Sequence, residues 1–437
     1  MPAVKSLAVL TVLLGSGAFA QQNLTLCPEA LRESSYAPSD TWAMLAHQGQ
    51  NGWLFGRGDF SEGVSSLGYS KAAMQALQDA FKREGIQLVM VDVPSRLVLS
   101  QKHLDASNLQ RYFSADNIRY NYADLHDQFT ELGIIAPNLM EDGLQFEASK
   151  GPYFQATDHH WTTAATKHVA ELIAAEIKKL PAYSTFKKTE YTLESKVLSN
   201  NGSYARMANN ICKTQFPDEM ITSYTAVPKS SGDLFAEEDP DVVLVGTSFS
   251  HRREYTTDDT LPEVLKYELQ TDVLNGAVEG GGSFGGMEAY LMSDSYKQHK
   301  PKVIVWENNF YMGELGNLWA MSRMVALARG GCSNEVLWQG AGAVGRNFRI
   351  ELPENVQVTT DSAIKIKFSD LKITDFQMNL EFSVGSQNTQ HSRTWRIPNN
   401  GEFQMQLPRP GTLEALQLNL YRGDVSGTYQ VTVCKMK

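Results

Sequence analysis

Two separated segments carry residue types that together can activate a hydroxyl group. The first contains Asp158 and His160, a carboxylate two residues before an imidazole, and the second contains Ser248. A serine hydroxyl becomes an effective nucleophile when an imidazole accepts its proton, and that imidazole needs an acid that fixes its tautomer and stabilises its cation. The three residues therefore predict a hydrolase-type triad, with Ser248 as nucleophile, His160 as base and Asp158 as the orienting acid.

Each segment also has an ordinary structural explanation. The acid and the two adjacent histidines can be polar residues of a surface loop. A serine in a Gly-x-Ser turn after a strand often caps the following helix. The catalytic interpretation is favoured by the combination, because a glycine-rich stretch and an asparagine pair each follow another predicted strand.

The elements that must position these residues alternate along the chain. Residues 242–245, just before the Gly-Thr-Ser turn, are apolar and rich in β-branched side chains, which predicts a buried strand. Further strands are predicted at 86–93, before Asn275 and at 302–306, and helices at 71–84, with Ser70 as a possible cap, and at 164–179. This order favours an α/β fold with a parallel sheet covered on both faces. Ser248 would then stand at the carboxyl edge of the sheet, where open α/β sheets bind ligands.

The sequence pattern changes after residue 345. Short stretches then alternate apolar and polar residues, and turn residues at 398–401 and 408–411 separate them. This pattern predicts an antiparallel β-sandwich of about 100 residues. We therefore divide the chain into a leader at residues 1–20, an α/β domain at 21–330 and the sandwich at 331–437.

The first 20 residues have the features of a secretory signal peptide. A lysine precedes an apolar core at residues 7–14, and Ala18-Phe19-Ala20 precedes a polar pair, so we predict cleavage after Ala20. Because no later segment has about 18 uninterrupted apolar residues, we predict that the mature chain does not span a membrane.

The sequence contains four cysteines, Cys27, Cys212, Cys332 and Cys434. In an exported protein they are candidates for two disulfides, and four cysteines allow three pairings. We favour Cys27 with Cys212 and Cys332 with Cys434, because each bridge then stays within one of the two parts of the chain.

The formal net charge of −10 disfavours binding to nucleic acids and to anionic membranes. An anionic sugar polymer would need a local basic strip. The candidate contacts are Arg252 and Arg253 after the nucleophile, and Lys365, Lys367, Lys372, Arg393, Trp395 and Arg396 in the sandwich. The alternative is that the lysines form the solvated face of a strand and that Trp395 belongs to the core. No metal-ligand spacing of the CxxC kind occurs, and we predict neither a metal nor a cofactor.

Two of the segments resemble sequence blocks of the SGNH hydrolases. Gly246-Thr247-Ser248-Phe249 resembles the nucleophile block, with threonine where many members have aspartate. Asn275-Gly276-Ala277-Val278-Glu279-Gly280 is similar to the second block, whose glycine amide helps to bind the oxyanion. The resemblance assigns that role to Gly280.

The third block of that family supplies an asparagine whose side chain donates to the same oxyanion. Asn308 and Asn309 both follow the predicted strand at 302–306, so either residue fits the block. Tyr311 follows the same strand and is a further candidate for the site, although a tyrosine at a strand end often serves packing. In SGNH hydrolases the acid and histidine normally close the domain, whereas here they precede the serine, which is a permuted order.

That permuted order, together with Asn51-Gly52-Trp53-Leu54-Phe55 near the start, resembles the periplasmic alginate O-acetyltransferases. The resemblance covers nearly the whole mature chain, including the four cysteines and a sandwich that binds carbohydrate in that family. It implies transfer of acetyl groups to mannuronate hydroxyls of alginate in the periplasm through an acetyl-serine. Alginate would be the acceptor, and other alginate acetylation and export proteins would be partners. Two alternatives stay open, a polysaccharide acetylesterase and a non-catalytic polysaccharide-binding export scaffold.

Overall fold

The structure of the 437-residue chain is a computed structural model that describes residues 26–60, 66–104, 113–229, 240–252, 259–309 and 313–437. The predicted signal peptide, Arg253 and Tyr311 lie outside the described residues. Within the described ranges, no helix is long and apolar enough to cross a membrane.

Helices and strands alternate in the amino-terminal part of the chain. The α-helices are α1 (Lys71–Arg83), α2 (Arg96–Leu99), α3 (Ala115–Glu131), α4 (Leu139–Ser149), α5 (Thr163–Lys178), α6 (Ser203–Cys212), α7 (Thr260–Leu269), α8 (Gly282–Met292), α9 (Asp294–Gln298) and α10 (Leu318–Ala328). The strands are β1 (Leu45–Gln48), β2 (Leu54–Gly56), β3 (Gln87–Val93), β4 (Tyr191–Asn200), β5 (Glu219–Pro228), β6 (Val242–Val245), β7 (Val273–Asn275) and β8 (Val303–Asn309). The predicted helices and strands of this part are therefore present, with ends that differ by one or a few residues.

A parallel sheet in the order β3-β8-β6-β7 forms the centre of this part. Val242 of β6 lies beside Val303 on one side and Val273 on the other, so the three strands start level with one another. Every residue of β6 and β8 is buried, as expected for strands covered on both faces. The carboxyl ends of these strands therefore meet at one edge, which brings the segments that follow them together.

Helix α5 begins at a capping threonine and packs one face into the core. The Thr162 hydroxyl accepts from the amide of Ala165 at 3.1 Å, which supplies a partner to a free helix-end donor. At the start of α1, by contrast, Ser70 is not the predicted side-chain cap. Its hydroxyl donates to the carbonyl oxygens of Leu67 and Leu315, both at 2.6 Å, and so joins the helix start to a distant turn.

The carboxy-terminal part is an antiparallel sandwich of two sheets. Its strands are β9 (Cys332–Ala343), β10 (Asn347–Glu351), β11 (Gln357–Val358), β12 (Ser362–Phe368), β13 (Asp375–Phe382), β14 (Ser386–Ser392), β15 (Glu402–Gln406), β16 (Gly411–Leu420) and β17 (Thr428–Met436). One sheet has the order β10-β16-β13-β14, with β11 beside β16, and the other has the order β15-β12-β17-β9. Alternate residues of β13 are buried, which matches the predicted alternation of a sheet with one face toward a core.

A buried ion pair joins the two parts, and it corrects one prediction. Arg393 of the sandwich donates to Glu288 of α8 at 3.0 and 3.1 Å, and only 4% of the arginine is exposed. Its guanidinium also lies over the ring of Phe403, 4.3 Å from the centroid. The prediction that Arg393 contacts a sugar polymer is therefore wrong, because burial between the two parts hides its charge from solvent.

The structure confirms the favoured cysteine pairing. Cys27 bonds to Cys212 and ties the start of the described chain to the end of α6. Cys332 bonds to Cys434 and links β9 with its neighbour β17 inside the sandwich. The boundary at residue 330 stays a prediction, since Cys434 also packs with the core of the α/β part.

Candidate active site

Ser248 lies on the turn that follows β6 at the carboxyl edge of the parallel sheet. Residue 246 of this turn has no room for a side chain, because a Cβ there would lie 2.6 Å from Glu307 Oε2. Helix α8 approaches equally closely, since a Cβ on Gly286 would lie 2.7 Å from the carbonyl oxygen of Gly246. The strand, turn and helix are thus packed tightly around the serine, which itself is partly exposed.

His160 reaches the serine from the segment between α4 and α5. A single antiparallel bridge between Phe154 and Trp161 shapes this segment into a narrow loop. The Trp161 indole then donates to the carbonyl oxygen of Phe249 at 3.0 Å. Because these two residues follow His160 and Ser248 directly, this bond holds the histidine segment against the serine turn.

The side chains of Asp158, His160 and Ser248 form a continuous hydrogen-bonded row. His160 Nδ1 lies 2.6 Å from Asp158 Oδ1, and His160 Nε2 lies 2.9 Å from Ser248 Oγ. Both distances are within reach for proton transfer between a nucleophile and its base. The acid and the histidine are buried, so bulk water does not compete for these bonds. The fold thus brings the three predicted residues together across a separation of 88 residues.

Arg252 is part of this row rather than of a polymer-binding strip. Its Nη2 donates to Asp158 Oδ2 at 2.9 Å, and the whole residue is 6% exposed. Burial by itself would raise the pKa of Asp158, but the Arg252 charge and the contact with His160 outweigh it and hold that pKa well below its ordinary value. The prediction of Arg252 as a sugar contact is therefore wrong. Its observed contact keeps the carboxylate ionised.

His160 is neutral in the neutral pH range. Burial and the nearby charge of Arg252 together lower its pKa to about 4, although the Asp158 carboxylate opposes both effects. A neutral imidazole with one nitrogen bonded to a carboxylate presents its other nitrogen as a proton acceptor. His160 therefore has the protonation state that a general base for Ser248 needs.

The same segment contains three residues of types that can bind a metal ion. Donor atoms of Asp158, His159 and His160 lie within 4.8 Å of one another. Each is already engaged in a hydrogen bond, including His159 Nδ1 with Ser203 Oγ at 2.8 Å. A metal ion would also be repelled by the Arg252 guanidinium beside the carboxylate. The arrangement therefore suits proton transfer better than metal binding.

Glu307, which no sequence motif indicated, supports the turn that carries Ser248. Its carboxyl accepts from the Thr247 amide at 2.7 Å, from the Thr247 hydroxyl at 3.0 Å and from the Ser250 hydroxyl at 3.1 Å. Burial raises its pKa to about 7. These contacts flank Ser248 on both sides. The available signal was a charged residue directly after the apolar strand segment, because an acid in a fully buried strand needs a specific partner.

The oxyanion candidates occupy different positions at this edge. Gly280 has a φ of +68°, which favours glycine, and lies on the loop whose Val278 amide donates to the Gly246 carbonyl at 2.9 Å. Asn308 is turned to another partner, since its amide group donates to the buried Asp92 at 2.8 Å. Asn309 lies two residues after Glu307 in β8 and so shares the strand face that carries Glu307. This placement favours Asn309 over Asn308.

The sandwich contributes Trp395 and Arg396 to the same edge. They line a cavity of about 350 Å³ together with His251, Ala277, Val278 and Glu279, from the loops that follow β6 and β7. Trp395 is 83% exposed, so the alternative that it belongs to the core is wrong. The Arg396 guanidinium stacks over its ring, 4.5 Å from the centroid.

The three lysines that were predicted to contact the sugar polymer do not share the cavity with Trp395 and Arg396. Lys365 and Lys367 both pair with Glu402, at 3.2 and 3.1 Å, which offsets part of their charge. Lys372 is exposed on the turn before β13, where its amide donates to Asp370. None of the three lines the cavity beside Trp395.

Comparison with known proteins assigns this chain to a family. Residues 46–310 match the family described as "SGNH hydrolase-like domain, acetyltransferase AlgX". The chain belongs to this AlgX family. The resemblance that the sequence analysis inferred from the serine, histidine and asparagine segments is therefore confirmed, together with the α/β fold class.

Individual AlgX and AlgJ proteins give the extent of the similarity. The chain is 30% identical to the alginate biosynthesis protein AlgX of Pseudomonas aeruginosa over 347 residues, which cover 72% of this chain and 70% of that protein. The solved structure of P. aeruginosa AlgX superposes with a TM-score of 0.73 at 23% identity, covering 94% of this chain and 100% of that one. The O-acetyltransferase domain of Pseudomonas putida AlgJ gives a TM-score of 0.52 over 64% of this chain and 98% of that domain, at 23% identity. The fold is thus similar to AlgX from the α/β part through the sandwich.

Replacing Arg252 with methionine is expected to raise the pKa of His160 by roughly one unit or more, because the nearby positive charge is removed. NMR titration of the imidazole, with resonances assigned from a His160→Gln variant, measures the change. Arg349→Met removes an exposed arginine from the sandwich and is the matched control. An unchanged His160 midpoint in Arg252→Met would contradict the electrostatic role.

Replacing Glu307 with alanine is expected to slow covalent modification of Ser248 by a sulfonyl fluoride about tenfold or more, because the turn loses the acceptor that positions it. Glu307→Gln retains an acceptor oxygen and should keep most of the reactivity. Intact-mass spectrometry follows the reaction, and thermal unfolding checks each variant. Equal rates for the alanine and glutamine variants would argue that Glu307 does not position the serine.

Proposed function

We propose that this protein transfers acetyl groups to hydroxyls of mannuronate residues in alginate through an acetyl-serine at Ser248. The observation that carries the proposal is the hydrogen-bonded row of Asp158, His160 and Ser248 in a member of the AlgX family. Relatives with this similarity include alginate biosynthesis proteins and probable alginate O-acetylases, which supports alginate as the acceptor.

In the first half-reaction, Ser248 Oγ attacks the carbonyl carbon of an acetyl donor. His160 Nε2 takes the hydroxyl proton, and Asp158 stabilises the resulting imidazolium. The tetrahedral oxyanion would receive hydrogen bonds from the Ser248 and Gly280 amides and from the Asn309 side chain. His160 then returns the proton to the leaving group of the donor, and the acetyl group stays on the serine.

In the second half-reaction, a sugar hydroxyl replaces the donor. His160 removes its proton, the hydroxyl oxygen attacks the acetyl-serine, and Ser248 recovers its proton as the ester bond to the enzyme breaks. Water can attack the same intermediate, so transfer depends on how firmly the acceptor is held. Trp395 and Arg396 stand beside the serine edge and present an aromatic face and a cation, which suit a sugar ring and a carboxylate.

We also propose that residues 331–437 act as a carbohydrate-binding module and that the protein works in the periplasm. Two disulfides fit an oxidising compartment, which agrees with the predicted signal peptide. Other alginate acetylation and export proteins are the proposed partners. The net charge of −10 argues against nucleic acid as a ligand.

Two other functions use the same residues differently. A polysaccharide acetylesterase would need the same triad but would pass the acetyl group to water. A non-catalytic export scaffold would need only the surfaces that bind the polymer. The buried charge of Asp158 and the neutral His160 argue against this alternative, because polymer binding requires neither of them.

Ser248→Ala is expected to reduce acetyl-ester hydrolysis and acetyl transfer by at least about a thousandfold, because the atom that carries the acetyl group is removed. Assays with a chromogenic acetyl ester and with mannuronate oligomers measure both activities. In the native protein, mass spectrometry should find one acetyl group on the Ser248 peptide. Ser184→Ala is a control at an exposed serine. Transfer that persists in Ser248→Ala would eliminate the mechanism.

Trp395→Ala is expected to lower the ratio of acetyl transfer to hydrolysis about fivefold to tenfold, because the acceptor loses an aromatic contact while the triad is untouched. Product analysis with mannuronate oligomers and a small acetyl donor gives the ratio. The control is Tyr421→Ala, which removes another exposed aromatic side chain of the sandwich. A ratio that is equal in the two variants would show that Trp395 does not hold the acceptor, and a native protein that only hydrolyses the donor would favour the esterase.

A further inference from the structure

A large cleft lies at the edge of the parallel sheet opposite to Ser248. Its walls come from the carboxyl end of α1, from α9 and the residues before β8, from the end of α10, and from β12 and β15 of the sandwich. The cleft has a volume of about 740 Å³. Because α1 leads into β3 and the α9 segment leads into β8, this is the amino edge of the sheet, about 20 Å along the strands from the candidate active site.

The cleft concentrates positive charge in an acidic chain. The lining cations are Arg83, Lys297, Lys300, Arg329, Lys365 and Lys437, and the lining acids are Glu84 and Glu402. Six cationic side chains thus face two acidic ones in a chain whose net charge is −10. Three of the cations are paired with carboxylates, Lys297 with Asp294, Arg329 with Asp361 and Lys365 with Glu402, which leaves Arg83, Lys300 and Lys437 without a salt bridge in the part of the chain that the structure describes. An excess of this kind in one concave surface creates a local attractive potential for anions.

Several of these cations retain charge that is not offset by a carboxylate. Among the described residues, no salt bridge joins Arg83 or Lys437 to an acid. Burial lowers the pKa of Lys300, the Glu84 carboxylate opposes this effect, and the charge of Lys437 lowers the pKa further. Lys300 and Lys437 come from different parts of the chain, and both line this cleft.

We infer that this cleft binds a carboxylated polysaccharide chain at a distance from the catalytic serine. Asn400 and Gln404 stand among the cations and offer amide groups to hydroxyls, so the lining matches a ligand that carries both carboxylates and hydroxyls. A concave cleft between two parts of the protein admits a chain rather than a bilayer surface. The choice of a uronate polymer rests on the proposed function, and the cleft would hold a long acceptor while Ser248 modifies another stretch of it.

The test is binding of a mannuronate oligomer to the full-length protein, compared with a neutral mannose oligomer of equal length. The cleft variant combines Arg83→Glu with Lys437→Glu, and the control combines Lys196→Glu with Lys213→Glu, two exposed lysines that do not line the cleft. We expect the cleft variant to bind the uronate about tenfold more weakly than the control, with a difference that shrinks at high salt. Both variants should retain native hydrolysis of a small acetyl ester.

Carbodiimide coupling then locates the oligomer, because it joins ligand carboxylates to nearby lysine amines. Peptide mass spectrometry should find the oligomer on Lys300, Lys365 or Lys437. Equal affinity of the cleft and control variants, or coupling confined to other lysines, would overturn the inference. Cleft-dependent binding of anionic lipid vesicles without binding of the oligomer would also overturn it, in favour of a membrane surface. The cleft variant leaves Ser248 unchanged. The binding assay therefore tests the cleft, and the ester and transfer assays test the proposed acetyl transfer separately.

Discussion

The buried carboxylate of Asp158 is the constraint on which the rest of the site depends. A charge removed from water is costly unless it is paired and hydrogen-bonded. Here the partners come from separate segments, the imidazole of His160, the guanidinium of Arg252 and the backbone amide of Ser203 at the start of α6. Satisfying one carboxylate therefore fixes the histidine loop, the residues after the nucleophile and a helix end in a single arrangement. The short distance from His160 to Ser248 follows from that arrangement.

The buried acids of this region have different pKa values because their surroundings differ. Burial raises the pKa of Asp92 and of Glu307 to about 7 although hydrogen bonds to each carboxyl oppose it, whereas Arg252 and His160 hold the pKa of Asp158 low. Acids whose pKa values differ in this way can serve different roles, which is common at sites that transfer protons. Asp158 supplies a permanent charge. Glu307 holds the backbone of the turn that carries Ser248, and Asp92 accepts a hydrogen bond from the Asn308 side chain.

The sandwich is an integral part of the site because a buried contact fixes its position. Glu288 of α8 binds Arg393 and also faces Arg323, so the sandwich cannot turn away without exposing an unpaired charge. Helix α8 begins two residues after Gly280, and a Cβ on that glycine would lie 3.0 Å from Arg396. Helix α8 thus contacts the sandwich and also follows the loop beside Ser248, which explains why Trp395 reaches the edge of the sheet where Ser248 lies.

Residue order alone predicted the α/β class, the sandwich and the residues proposed as a triad, because periodicity and strand-end turns are local properties and parallel strands bring their carboxyl ends together. It left three cysteine pairings possible, and the tertiary structure decided between them. The roles of the arginines were decided only by tertiary structure. Arg252 and Arg393 look like exposed cations in the sequence, but their carboxylate partners lie 94 and 105 residues away. The position of Glu307 directly after an apolar strand segment indicated that it needs a partner, but the sequence did not show that its partners are Thr247 and Ser250. The choice of partner arises from contacts between distant segments, which a local pattern does not specify.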